Sequence, residues 1–174
     1  LSLGLGFLTA SALSRSTLIS RVLDPIIMLP LGASAVTLGL GFIVTFNRPP
    51  LDVRSFPWLI PIAHGLVALP FVVRTLQPAL SSIPVSLRQA ASVLGASPFQ
   101  VWREVDLPIV ARAATVSAIF SFSISLGEFG ATSFLARPEY PTLPVAIFRF
   151  LSQPGALNYG QALAMATLLM LLCA

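Results

Sequence analysis

Lysine is absent, cysteine and histidine occur once each, and charged side chains make up only 9% of the 174 residues. An ordinary soluble domain carries roughly 25% charged residues. This chain cannot cover a globular surface with solvated groups, which excludes a free-standing soluble enzyme. One cysteine, Cys173, allows neither an intrachain disulfide nor a thiolate metal cluster, and it reads as a small lipid- or helix-facing residue. Disorder is excluded by the opposite excess. Hydrophobic residues reach 56% and mean hydropathy is +0.90, whereas disordered chains are poor in apolar groups. The apolar residues gather in long runs, which predicts an all-α, multi-pass membrane protein. The net charge of +4 rests on ten arginines against six acids. No basic patch with interleaved aromatics accompanies them, so the charge reads as membrane topology and no nucleic-acid partner is expected.

The chain begins at Leu1 without methionine or a basic n-region, so no signal peptide is read there. It stops at Ala174 inside an apolar run. Residues 1–174 are expected to be one transmembrane domain taken from a longer chain, with its first and last helices truncated. Five apolar segments are placed: Leu1–Leu13, too short to span alone, then Pro25–Phe46, Trp58–Leu76, Ile109–Ala131 and Ala156–Ala174. If spans alternate, the side holding residues 14–24 and 77–108 carries Arg15, Arg21, Arg74, Arg88, Arg103 and Arg112. The other side carries Arg48, Arg54, Arg137 and Arg149. The six-to-four bias places the long central loop in the cytoplasm. Pro30, Pro61 and Pro70 lie in or beside spans and suit either bent helices around a pathway or the ordinary enrichment of proline in membrane helices.

The central loop, residues 77–108, has the grammar of two helices. Leu87, Ala90, Ala91 and Leu94 recur at helical spacing after Pro84. Gly95 follows where a left-handed helix cap is wanted. Ser97 is then an N-cap, Pro98 fits the first helical position and Gln100 completes an S-x-x-Q capping box. Phe99, Trp102 and Val105 are expected on one face, with Gln100, Arg103 and Glu104 off it, and Leu107-Pro108 is expected to end the unit and lead into the next span. Such a Phe/Trp knob serves equally as an anchor in lipid headgroups or as a docking surface for a protein.

Gln89-Ala90-Ala91-x-x-x-Gly95, nine residues, then Val105-Asp106-Leu107-Pro108 resembles the EAA loop of ABC importer permeases (E-A-A-x-x-x-G-x9-I-x-L-P), with Gln89 for the usual Glu and Val105 for Ile. Ser125-Leu126-Gly127-Glu128-Phe129-Gly130-Ala131-Thr132, Pro141 to Phe148, and Asn158-Tyr159-Gly160-Gln161-Ala162 are similar to the branch handling ferric iron, thiamine, sulfate or molybdate. The resemblance implies a type I ABC importer permease core of about five transmembrane helices in a prokaryotic plasma membrane. It makes Ala96–Glu104 a coupling helix, with Gln89, Ala90, Ala91, Gly95, Ser97, Phe99, Trp102, Arg103, Leu107 and Pro108 as the ATPase-coupling residues. It implies an ATPase subunit, a periplasmic or lipoprotein solute-binding protein, a second permease half in the same polypeptide or a homodimer, and membrane lipids as partners. ATP and magnesium would be held by the ATPase, leaving this chain with no cofactor and no catalytic site. Iron or thiamine is the favoured solute, because two permease halves in one polypeptide suit the mid-helix start; sulfate or molybdate is the alternative.

Glu128 is the sole acid within an expected span, where an ionisable group costs several kcal/mol unless it faces a cavity or a partner. With Gly127 and Gly130 it is expected to line a translocation pathway or to pin a helix break, against simple solvation at the interface. Ser117, Ser121, Ser123 and Ser125 fall on different helical faces, and most are expected to bond their own backbone. His64 reads as a satisfied interhelical histidine, since one His and one Cys make no metal site. Gly4–Gly6 and Gly39–Gly41 do not continue into a phosphate-binding motif. Residues 142–152 suit a short surface helix after a threonine cap. An intramembrane serine protease lacks a G-x-S-x-G frame here, and an ion-driven secondary transporter, a weaker alternative, normally shows more intramembrane charges.

Overall fold

The computed structural model describes residues 1–14, 18–46, 56, 58–136 and 140–173. Arg15, Arg48, Arg54 and Arg137, on which the arginine-based orientation partly rests, lie outside the described residues. The apolar runs are helical, as they must be where lipid offers the backbone no hydrogen-bond partner. In chain order the helices are α1 (Ser2–Leu13), α2 (Leu18–Gly32), α3 (Ala35–Phe46), α4 (Leu59–Ser81), α5 (Val85–Val93) and α6 (Pro98–Val101). A π turn (Trp102–Asp106) follows, then α7 (Leu107–Gly127), α8 (Thr132–Leu135), α9 (Leu143–Leu151) and α10 (Ala156–Cys173).

Among the described residues, three helices are long and apolar enough to cross a membrane: α4, the uninterrupted helix Pro98–Gly127, and α10. A fourth is counted if α2 and α3 form one broken span, and α1 is a shorter apolar helix. The expected span Pro25–Phe46 therefore requires correction. Its first part belongs to a helix beginning at Leu18, and the chain bends by 101° between Ser20–Gly32 and Ala35–Phe46. The break falls at Ala33-Ser34, just after Gly32, and not at Pro30, which remains inside α2. By contrast α4 runs unbroken through Pro70 and Pro78 to Ser81, so residues 77–81 of the expected loop are helix.

The chain divides into two compact units. The first comprises Leu1–Met28 and Leu69–Ser121. Its core is Ala10, Val72, Leu76, Ile83 and Val110, with Phe7, Val105 and Ile109 packed against it. Gly6 sits directly against the Val72 side chain, where a Cβ would collide, so α1 and α4 approach closely. Phe71 and Phe120 pack with ring centroids 5.9 Å apart. The Ser2 and Ser121 hydroxyls share a hydrogen bond of 2.7 Å. Ser121 thus bonds across helices and not to its own backbone, as small polar residues do where helices meet in lipid.

The second unit comprises Leu29–Ala68 and Phe122–Ala174. Here α3 packs on α8 through small residues. A Cβ on Gly39 would lie 2.7 Å from Ala131 Cα, and one on Gly130 would lie 3.0 Å from both Ala35 Cβ and Val36 N. Gly39 of the Gly39–Gly41 pair is thus a packing residue. The surface helix expected over residues 142–152 is α9; Pro144 fits its first turn, but the Thr142 hydroxyl makes no capping bond. Phe148 on α9 packs on Phe129 at 5.3 Å.

Candidate functional site

The first unit holds all the residues of the EAA-like loop. Helix α5 ends in the Schellman arrangement: Gly95 has φ +87°, its N–H bonds to the Ser92 carbonyl at 3.0 Å, and Ala96 N–H bonds to the Ala91 carbonyl at 3.1 Å. A left-handed residue here reverses the chain in two residues. The next helix starts at once on the capping box. Ser97 N–H donates to Gln100 Oε1 at 2.7 Å, and Gln100 N–H donates back to Ser97 Oγ at 3.4 Å. Two helices are therefore joined by a tight turn whose backbone groups are satisfied locally.

What this helix pair presents outward is apolar. No residue of α5 is buried; Leu87, Val93 and Leu94 are exposed, and so are Phe99 and Trp102 beyond the turn. The two rings stack with centroids 5.9 Å apart and planes at 29°. Gln89, Ala90, Ser97 and Pro98 are exposed beside them, while Ala91 is half-buried. Arg103 lies 3.7 Å from Glu104, with both side chains largely in solvent, where such a pair contributes little.

Two expectations fail at the end of this unit. Leu107-Pro108 does not terminate it. The Leu107 N–H bonds to the Trp102 carbonyl, five residues back, and the helix continues through Pro108 into α7 as one run from Pro98 to Gly127. Pro108 has no N–H for the carbonyl four residues earlier, and the wide π turn just before it accommodates that loss. The same turn shifts the helical register. Val105 consequently rotates into the core instead of sharing the face of Phe99 and Trp102. Arg88, read in the sequence only as a marker of topology, donates from Nε to Asp106 Oδ1 at 2.8 Å, joining α5 to the last residue of the π turn.

The second unit holds the glutamate corner. Helix α7 ends at Gly127, and the carboxylate of Glu128, 7% exposed, turns forward. Its Oε1 accepts the Ala131 N–H at 2.8 Å and its Oε2 accepts the Thr132 N–H at 3.1 Å. The Thr132 hydroxyl donates to the Glu128 carbonyl at 2.8 Å. Glu128 is not a solvated interfacial acid. It satisfies the first amides of α8 and closes the corner on itself. From α4, His64 Nε2 lies 3.7 Å from Glu128 Oε2, and His64 Nδ1 shares a 2.7 Å hydrogen bond with Ser125 Oγ. Ser125, like Ser121, bonds to another helix. Gly130 is required by its contact with Ala35, whereas Gly127 has open space around its Cα and an ordinary φ, so nothing there demands glycine.

Three helices long and apolar enough to cross a membrane, an exposed apolar helix pair between two of them and a self-capped corner at the end of α7 are the features of a multi-pass membrane protein. The chain belongs to the family of binding-protein-dependent transport system inner membrane components, whose model matches residues 2–174. It is 35% identical over 141 residues to PhnV of Salmonella typhimurium, a permease protein assigned to 2-aminoethylphosphonate transport, covering 81% of this chain and 53% of that one. It is 31% identical over 170 residues to the molybdenum transport system permease protein ModB of Haemophilus influenzae, covering 89% and 74%. It is 32% identical over 168 residues to the sulfate transport system permease protein CysT of Salmonella typhimurium, covering 89% and 60%. The chain thus spans about half the length of PhnV.

Proposed function

We propose that this chain is a permease half of an ATP-driven importer in a prokaryotic plasma membrane, and that its solute is a small oxyanion of the sulfate, molybdate or phosphonate kind. The relatives described above are named for phosphonate, molybdate and sulfate transport. The expectation of ferric iron or thiamine finds no support in them, and the sulfate or molybdate alternative fits better. The observation that carries the docking role is the outward apolar face of α5 and α6, fixed by the Gly95 turn and the Ser97 capping box. An exposed apolar patch of this kind marks an interaction surface.

In this reading an ATPase subunit, which alone holds ATP and magnesium, grips Phe99 and Trp102 on the cytoplasmic side. A solute-binding protein delivers the anion outside, and a second permease half, fused or separate, completes the pathway within the lipid. Glu128, with Gly127 and Gly130, fixes the end of α7 beside that pathway. Transport needs no covalent step in this chain. It requires that nucleotide bind the two access states with different affinity.

The test is uptake by the full-length permease reconstituted in liposomes with its ATPase and binding protein, using labelled sulfate, molybdate and 2-aminoethylphosphonate. The expected result is ATP-dependent uptake of one of the three, lost on Phe99→Ala/Trp102→Ala while the permease still assembles. Uptake driven by an ion gradient without ATP overturns the permease reading. Uptake of thiamine or ferric complexes alone overturns only the choice of solute.

A further inference from the structure

Little packing of its own holds the docking face. Helix α5 buries no residue, α6 is one turn long and buries Val101 alone, and the helix behind them contains a π turn, a rare geometry found mostly at functional sites. The bond from Arg88 to Asp106 crosses from the middle of α5 to the last residue of that turn, at the point where the docking helix becomes the membrane helix. The two side chains are 40% and 17% exposed, and both line a cavity of about 600 Å³ together with Ser81 and Trp102. They therefore stand beside the core, not within it. A pair so placed contributes little to folding stability, but its charge-assisted bond has a defined direction.

We propose that Arg88 and Asp106 are positioning residues that make α5, the docking helix and α7 move as one lever, so that displacement of the Phe99–Trp102 face by the partner ATPase reaches the membrane. The lever has three members. The Gly95–Ser97 turn joins α5 to α6, the π turn joins α6 to α7, and the Arg88–Asp106 bond closes the triangle. Without that third side, α5 can swing on the glycine turn, and a push on the docking face is spent in the loop. The inference rests on the proposed docking role and concerns transmission, not binding.

The experiment compares Arg88→Asp, Asp106→Arg and the exchanged double variant in the complete transporter reconstituted in liposomes. ATP hydrolysed and solute taken up are both measured, and complex assembly is followed by size-exclusion chromatography. Either single change is expected to leave ATP hydrolysis in place and to lower uptake per ATP about tenfold. The exchange should restore the ratio to within about threefold. Singles that keep the original ratio, or an exchange that assembles without restoring it, overturn the lever while leaving docking intact. If the unaltered complex shows no ATP-coupled uptake, the docking reading falls and the lever with it. Where Arg88→Asp fails to assemble, Arg88→Gln and Arg88→Lys decide: a higher ratio for Lys supports the lever, and equal ratios overturn it.

Discussion

His64 on α4 and Glu128, just past the end of α7, approach to 3.7 Å, Nε2 to Oε2, while the same carboxylate caps the backbone amides of Ala131 and Thr132. The acid thus has two tasks, one within its own corner and one toward α4. In Glu128→Gln the side-chain NH2 must face one of the two amide N–H groups, leaving a buried donor unpaired at a cost of about 1–3 kcal/mol. The expected outcome is a larger fall in solute uptake than in the amount of assembled transporter. Equal loss of both would mark Glu128 as purely structural.

Gly39→Ala should destabilise the second unit. The added methyl meets the backbone of Ala131, at 2.7 Å from Cα and 2.8 Å from O, so no side chain can yield and overpacking of about 1–3 kcal/mol is expected. Gly41→Ala, two residues along α3 with nothing within 4 Å, should leave thermal stability in detergent within about 1 kcal/mol of the original. A shared response of both variants would place the effect in helix propensity and not in the α3–α8 contact.

Gly95→Ala is expected to strain the backbone alone, since its φ of +87° disfavours a Cβ although no atom lies within 4 Å. The penalty is about 1–2 kcal/mol, and its functional readout is reduced stimulation of the proposed ATPase partner. Gly95→Asn should be milder, because Asn visits the left-handed region more readily. Measuring stimulated hydrolysis for both variants ranks them; the reverse order contradicts the turn.

Ser97→Ala removes the oxygen that accepts the Gln100 amide, a loss of about 0.5–2 kcal/mol for an N-cap. Hydrogen exchange should accelerate at the Gln100 amide, in the first turn of α6, while the amides of α4 stay protected. Unchanged exchange at Gln100 would mean that the cap does not hold the helix.

The features legible in the sequence were those whose chemistry is local. Gly95, Ser97 and Gln100 announce their turn because each satisfies backbone groups within five residues. The apolar runs announce helices because lipid permits nothing else. What stayed hidden depends on partners far along the chain. Arg88 and Asp106 are 18 residues apart, His64 and Ser125 are 61 apart, and Gly39 gains its meaning only from Ala131. Pro108 misled in the other direction. A proline usually ends a helix, and only the π turn before it shows why this one does not. Gly127 was read with Gly130 as lining a pathway or pinning a helix break; α7 does end at Gly127, although nothing packs against its Cα.

The uninterrupted run from Pro98 to Gly127 is 30 residues, which at 1.5 Å per residue makes a rod of about 45 Å. The hydrocarbon core of a bilayer is only about 30 Å thick. Roughly 15 Å of the rod therefore stands clear of the lipid if it lies along the membrane normal. With that excess at its Pro98 end, Phe99 and Trp102 stand clear of the acyl chains, where the proposed ATPase can reach them.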